Sequence, residues 1–129
     1  MRTIKFRGKS SNGEWHYGDL EHSPIGKFCR IHEYWDNGLY KSQYDVDPAT
    51  IGQFTGLTDK NGKEIYEGDI LLYNGNRRIV EWEYGTFGLS MHENGFPFQA
   101  FYELPVPIVD STVIGNIHDN PELLKGGES

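Results

Sequence analysis

Apolar and polar positions alternate along this chain, and no stretch sustains a helical repeat. Residues 3–7 put Ile4 and Phe6 on one side and Lys5 and Arg7 on the other, a period of two that predicts a half-buried strand. Asn12-Gly13 supplies a tight turn, and Trp15, Tyr17 and Leu20 begin a second strand, so the chain is expected to open with a hairpin. Pro24 and Gly26 mark a loop before a strand holding Phe28 and Ile31, and Asp36-Asn37-Gly38 signals another hairpin between aromatic-rich arms. Pro48 marks a joint, after which "TIGQFTGL" reads as a short strand with Gly52 and Gly56 as kinks or bulges. Asn61-Gly62 turns the chain, 64–66 return, Gly68 breaks that arm, and Asp69 starts the strand "DILLY".

Register can be argued for the next hairpin. Val80, Trp82 and Tyr84 share one face and Ile79, Glu81 and Glu83 the other, and the bulkier face is expected to be the inner one. A three-residue loop over 74–76 pairs Leu72 with Arg78 and Ile70 with Val80, which carries Ile70 and Leu72 inside with Trp82. That loop is the expected one, with Gly75 or Asn76 left-handed. "FPFQAFYEL" then reads as an aromatic strand, Pro105 and Pro107 as an extended crossing, and "STVIGNI" as the last strand. Asn120 as cap, Pro121 at the first helical position and Glu122 in the first turn predict a short helical turn. Residues 126–129 are expected to be a disordered tail.

Composition agrees with an all-β reading. At 129 residues the chain is one domain's worth, and 14% aromatics with 16 glycines favour strands and turns. Cys29 is the single cysteine, so no intrachain disulfide forms, which fits a reducing compartment. The first ten residues alternate charged and apolar side chains without the apolar run of a leader, and no segment approaches the roughly 20 apolar residues of a membrane span. A soluble, cytoplasmic protein is the expectation. The net charge of −7 works against binding a phosphate backbone, and the basic groups are short: Lys5, Arg7 and Lys9, then Arg77 with Arg78.

Candidate chemistry concentrates in "LTDKNGKEIYEGDILLY", where Asp59, Glu64, Glu67 and Asp69 lie close in sequence. Counted from Asp59, a calcium loop would need its glycine at position 6 and Glu at 12, where Glu64 and Ile70 stand instead. Turn chemistry is the better account: Asp59, Asn61, Gly62, Gly68 and Asp69 are read as structural turn residues, with Asp69 accepting backbone N–H groups where a strand begins. His16, His22, His32, His92 and His118 show no zinc spacing and have no cysteine partners. Cys29 has His32 three residues on, which alternation places on the opposite face, so no thiolate pair is expected. Aromatic side chains exceed what a small core needs. Tyr34, Trp35 and Tyr40, beside the Asp-Asn-Gly turn, are the expected surplus and form the candidate interaction surface.

Two internal echoes appear, "NGEWHYGDL" with "NGKEIYEGDI" and "TIGQF" with "VIGNI"; repeated use of one hairpin device accounts for both. The segments "IKFRGKSSNGEWHYGDL", "IGQFTGLTDKNGKEIYEGDILLY" and "VIGNIHDNPELL", in this order and spacing, resemble the landmark segments of the YopX family of phage and prophage proteins. The resemblance covers nearly the whole chain and is most specific in the middle segment. It implies an all-β protein: an N-terminal β-hairpin region over 1–47, then an SH3-type barrel over 48–125 with its short C-terminal helical turn. It supplies no catalytic residues to carry over, and no cofactor is expected.

The expected function is that of a phage or prophage accessory protein in the bacterial cytoplasm, non-enzymatic and acting by contact with another protein or with itself. The alternative is a nucleic-acid-associated barrel using Lys5, Arg7, Arg77 and Arg78 as phosphate contacts. An enzyme or metal site on the acidic turn residues ranks third.

Overall fold

Strands of β-branched and aromatic residues, separated by glycines at positive φ, make up the computed structural model, which describes residues 3–26, 28–91 and 97–125. Eleven strands are present among the described residues, and the longest helical elements are 3-10 turns of three or four residues. The chain divides into two units, Met1–Phe54 and Thr55–Ser129.

The first unit is a meander of β1 (Phe6–Lys9), β2 (Trp15–His22), β3 (Cys29–Tyr34) and β4 (Tyr40–Val46), in the order β4-β3-β2-β1, with the start of β5 (Gly52–Thr58) beside β1. Its register sets Arg7 against Tyr17 and Leu20 against Ile31, with Ile31 against Tyr44 on the next strand. The alternation in β1 has the opposite phase to the expected one. Ile4 lies before the strand and is exposed, whereas Arg7 is buried with its guanidinium 4.8 Å from the centroid of the Trp15 ring. The aliphatic stem and a cation–π contact let arginine fill an inward position that the pattern would assign to an apolar residue.

The second unit contains β6 (Glu64–Tyr66), β7 (Asp69–Tyr73), β8 (Asn76–Glu83), β9 (Thr86–Ser90), β10 (Phe98–Ala100) and β11 (Thr112–Asn116). β6 neighbours β5, and the other five form a sheet in the order β10-β9-β8-β7-β11. Ile65, Leu71, Tyr73, Val80, Leu89 and Ile108 form its core, with Leu57, Phe101, Leu104, Val106 and Val113 packed around them. Each fully buried aliphatic side chain there contributes roughly 1.5–3 kcal/mol of transfer free energy. Tyr73 ties the sheet to the segment before β11: its hydroxyl donates to the Val106 carbonyl at 2.7 Å and accepts from the Val106 N–H at 3.0 Å. Among the described residues β10 and β11 are opposite edges of the sheet, so the expected barrel is not closed.

The β7–β8 register corrects the expectation. The loop has two residues, Asn74-Gly75, at φ 51° and 83°, and Asn76 is already in the strand. Ile70 therefore faces Ile79, Leu71 faces Arg78 and Leu72 faces Arg77. Leu71 and Tyr73, not Ile70 and Leu72, share the Val80 face, and Leu72 is 43% exposed. An Asn-Gly pair with both residues left-handed makes a turn whose twist matches the flanking strands, which is why the shorter loop forms.

A second two-residue turn follows, Tyr84-Gly85, leading into a strand, β9, that the hydrophobic pattern did not announce. Tyr84 is not on an inner face: the chain reverses there, and the ring is 88% exposed. At φ 54° this tyrosine occupies a conformation that costs a bulky L-residue roughly 1–2 kcal/mol. Tyr84→Asn should therefore raise stability by about 0.5–1 kcal/mol, after the tilted contact with Phe98 is lost, and thermal melts of the two proteins measure it.

At the C-terminal end, Pro121–Leu124 is a 3-10 turn. Asn120 stands at the N-cap position with Pro121 following, but its side chain makes no capping bond; its oxygen instead accepts the Asn116 N–H at 3.2 Å. Among its described residues the aromatic segment forms strand over Phe98–Ala100, before a 3-10 turn at Phe101–Glu103. Phe96, His92 and the expected tail at 126–129 lie outside the described residues. No helix among the described residues is long and apolar enough to cross a membrane.

Candidate interaction surface

The β3–β4 hairpin presents the aromatic residues singled out from sequence. Trp35 N–H donates to the Leu39 carbonyl and Gly38 N–H to the Trp35 carbonyl, both at 2.8 Å, while Asn37 Oδ1 accepts the Leu39 N–H. Gly38 at φ 88° completes the reversal. A register shift between Glu33 and Tyr34 sets Tyr34 opposite Tyr40, and their rings meet edge to face with centroids 5.5 Å apart. Tyr34, Trp35 and Tyr40 are 48%, 55% and 50% exposed, and Tyr17 and Leu39 beside them are also exposed.

Tyr17, Glu33, Tyr34, Trp35, Leu39 and Lys41 line an open groove of about 890 Å³ at this hairpin, with Asp36 and Asn37 at its turn. Glu33 organises its floor. One carboxylate oxygen, Oε2, accepts the Tyr17 N–H at 3.0 Å and lies 3.2 Å from Nδ1 of His16, a buried imidazole stacked on Tyr44 at 3.7 Å. The other, Oε1, meets the Lys41 ammonium at 3.5 Å, and that ammonium also lies 4.9 Å from the Trp35 ring centroid. Partial desolvation of the phenol comes first and the Asp19 carboxylate second in holding the Tyr34 pKa above its ordinary value; Asp19 also hydrogen-bonds to it. Tyr40 OH is 3.0 Å from His32 Nδ1, whose other nitrogen is 2.7 Å from Glu21 Oε1. The groove thus combines aromatic walls with one carboxylate, that of Glu33, fixed from behind.

Glu33, Lys41, Tyr17 and Leu39 were not singled out from sequence. Their local signals, a lone acid, a lone lysine and single apolar residues, are ordinary, and only the β2–β3–β4 pairing brings them to one place.

The basic residues are arranged differently. Lys5 Nζ lies 5.3 Å from the Phe54 ring, and Arg7 is buried against Trp15. Arg77 Nη1 donates to the Leu123 carbonyl at 2.8 Å, and Arg78 Nη1 to the Arg77 carbonyl at 2.9 Å.

The acidic stretch resolves into backbone chemistry. Asp59 Oδ1 accepts the N–H groups of Asn61 and Lys63 at 2.8 and 3.0 Å, and Oδ2 accepts that of Val113 at 2.9 Å. Asp69, fully buried, accepts the Tyr66 N–H at 2.7 Å across the Gly68 break, where φ is 94°. Asn61-Gly62 forms the tip between β5 and β6, with Gly62 at φ 83°. Glu64 Oε1 accepts the Tyr66 hydroxyl proton at 2.9 Å. Among the described residues no group of three or more His, Cys, Asp or Glu side chains is placed to hold a metal ion.

The family model described as YopX protein matches residues 5–125. The crystal structure of protein EF1440 from Enterococcus faecalis is similar to this chain, with 26% sequence identity and a TM-score of 0.53 over 97% of this chain and 100% of that one. No curated protein matches.

Proposed function

The chain belongs to the YopX protein family, and from that membership we propose that it is a phage or prophage accessory protein, non-enzymatic, that works by contact with another protein through the β3–β4 groove. The observation that carries this reading is the convergence of Tyr17, Tyr34, Trp35 and Leu39 as exposed side chains around one groove, with exposed Tyr40 edge to face against Tyr34. Exposed aromatic side chains clustered around a groove are the usual anchors of protein interfaces. Asp59 and Asp69 are buried and bonded to backbone N–H groups, which supports a structural rather than catalytic use of the acidic stretch. The second unit is read as an SH3-type barrel open along one seam, because 3-10 turns precede the last strand and that strand returns beside β7.

The test is paired affinity capture from infected or lysogenic bacterial cells, using the wild type and a Tyr34→Ala/Trp35→Ala/Tyr40→Ala variant. A specific protein held by the wild type and lost with the variant is expected. Identical retained sets, with both proteins monomeric by light scattering, would overturn the reading.

A further inference from the structure

The groove already holds a cation, and it is the protein's own. Lys41 places its ammonium between the face of Trp35, at 4.9 Å, and Glu33 Oε1, at 3.5 Å. Glu33 is held for this role: the Tyr17 N–H and the His16 imidazole fix Oε2 from behind, and its side chain is only 15% exposed. A carboxylate oriented by the fold and set beside an indole is a preorganised seat for an ammonium or guanidinium. Asp36 adds a further acid among the lining residues, so the walls carry two carboxylates, Glu33 and Asp36, against the one ammonium of Lys41.

We propose that this groove receives a basic segment of a partner protein, with an arginine or lysine side chain of the partner taking the place of Lys41 between Trp35 and Glu33. This rests on the reading of the groove as a protein contact surface and names the chemistry of its occupant. The groove is open rather than enclosing, and exposed Leu39 and Trp35 give its lining apolar surface. Those features suit a length of polypeptide better than an isolated small amine. Lys41 then acts as an intramolecular placeholder: it keeps Glu33 and Trp35 paired with a cation in the free protein and competes with the incoming one.

The experiment uses an eight-residue peptide of alternating arginine and glycine, with a citrulline–glycine peptide as its uncharged counterpart, titrated into the full chain at physiological salt. Calorimetry and the Trp35 indole N–H resonance report binding. The arginine peptide is expected to bind saturably and the citrulline peptide at least about tenfold more weakly. Trp35→Ala leaves the net charge unchanged and should weaken binding by about tenfold. Lys41→Met should tighten it several-fold, whereas Lys60→Met, the same charge change at the exposed turn of the other unit, should not. Equal binding by wild type and Trp35→Ala would mean diffuse attraction to a chain of net charge −7 and would overturn the proposal. So would equal binding of the two peptides, or no binding even to Lys41→Met. If the affinity capture still depends on Tyr34, Trp35 and Tyr40 while the arginine peptide fails, the contact surface stands and only the basic occupant is rejected.

Discussion

Asp59→Ala should lower stability by roughly 3–5 kcal/mol, because the N–H groups of Asn61, Lys63 and Val113 all lose a charged acceptor at once. Asp59 is 4% exposed and its carboxylate joins the β5–β6 turn to β11, 54 residues away, so water cannot simply take its place. For a domain whose whole stability is about 5–15 kcal/mol, that is a large share. Asp59→Asn should cost less, since one oxygen still accepts, but its amide group then points N–H donors at backbone donors. Denaturant titration of the three proteins measures both differences. An Asp59→Ala protein as stable as the wild type would show that the turn closes without this carboxylate.

The same residue sets a pH dependence. Burial alone raises the Asp59 pKa, but the N–H groups of Val113, Lys63 and Asn61 and the Lys63 charge outweigh it, and the pKa lies below its ordinary value. A carboxyl that ionises more readily in the folded chain stabilises it fully above the unfolded pKa of about 4, and that contribution is lost as pH falls through the lower folded value. Acidification below about pH 4 should therefore destabilise the wild type more steeply than Asp59→Asn, as thermal midpoints across that window would record.

Leu71→Ala and Leu72→Ala, neighbours in sequence, should differ by several kcal/mol. Leu71 is fully buried in the cluster with Tyr73, Val80 and Leu89, and truncating it removes transfer free energy and leaves a cavity, costing roughly 2–5 kcal/mol. Leu72, opposite Arg77 on the other face, should cost no more than about 1 kcal/mol. A urea titration of each variant checks the pair, and the reverse order would restore the three-residue loop.

Part of this fold was legible residue by residue. Asn12-Gly13, Asn37-Gly38 and Asn61-Gly62 stand out in the sequence as turns, and each glycine adopts positive φ at a hairpin tip. A left-handed residue is a one-residue demand that glycine meets almost without cost, so the signal is local. The echo between "NGEWHYGDL" and "NGKEIYEGDI" shows where local reading stops. Its turns correspond, but Gly18 lies extended within β2, where a Cβ would collide with the His32 carbonyl of β3, while Gly68 at φ 94° separates β6 from β7. The second segment carries one additional residue, Glu67, and the strand breaks there between Tyr66 and Asp69.

The aromatic surplus at Tyr34, Trp35 and Tyr40 could be named from sequence because it flanks a turn that can bury little. The seat made by Glu33, Lys41 and His16 could not, since His16 and Glu33 are 17 residues apart and meet only through strand pairing. By itself the sequence determined most of the strands, most of their turns and the family. Which face of each strand turns inward, and which charged groups meet in the groove, was decided by tertiary structure: a one-residue change in loop length exchanges the two faces of a strand, and pairing across strands joins side chains that no local pattern connects.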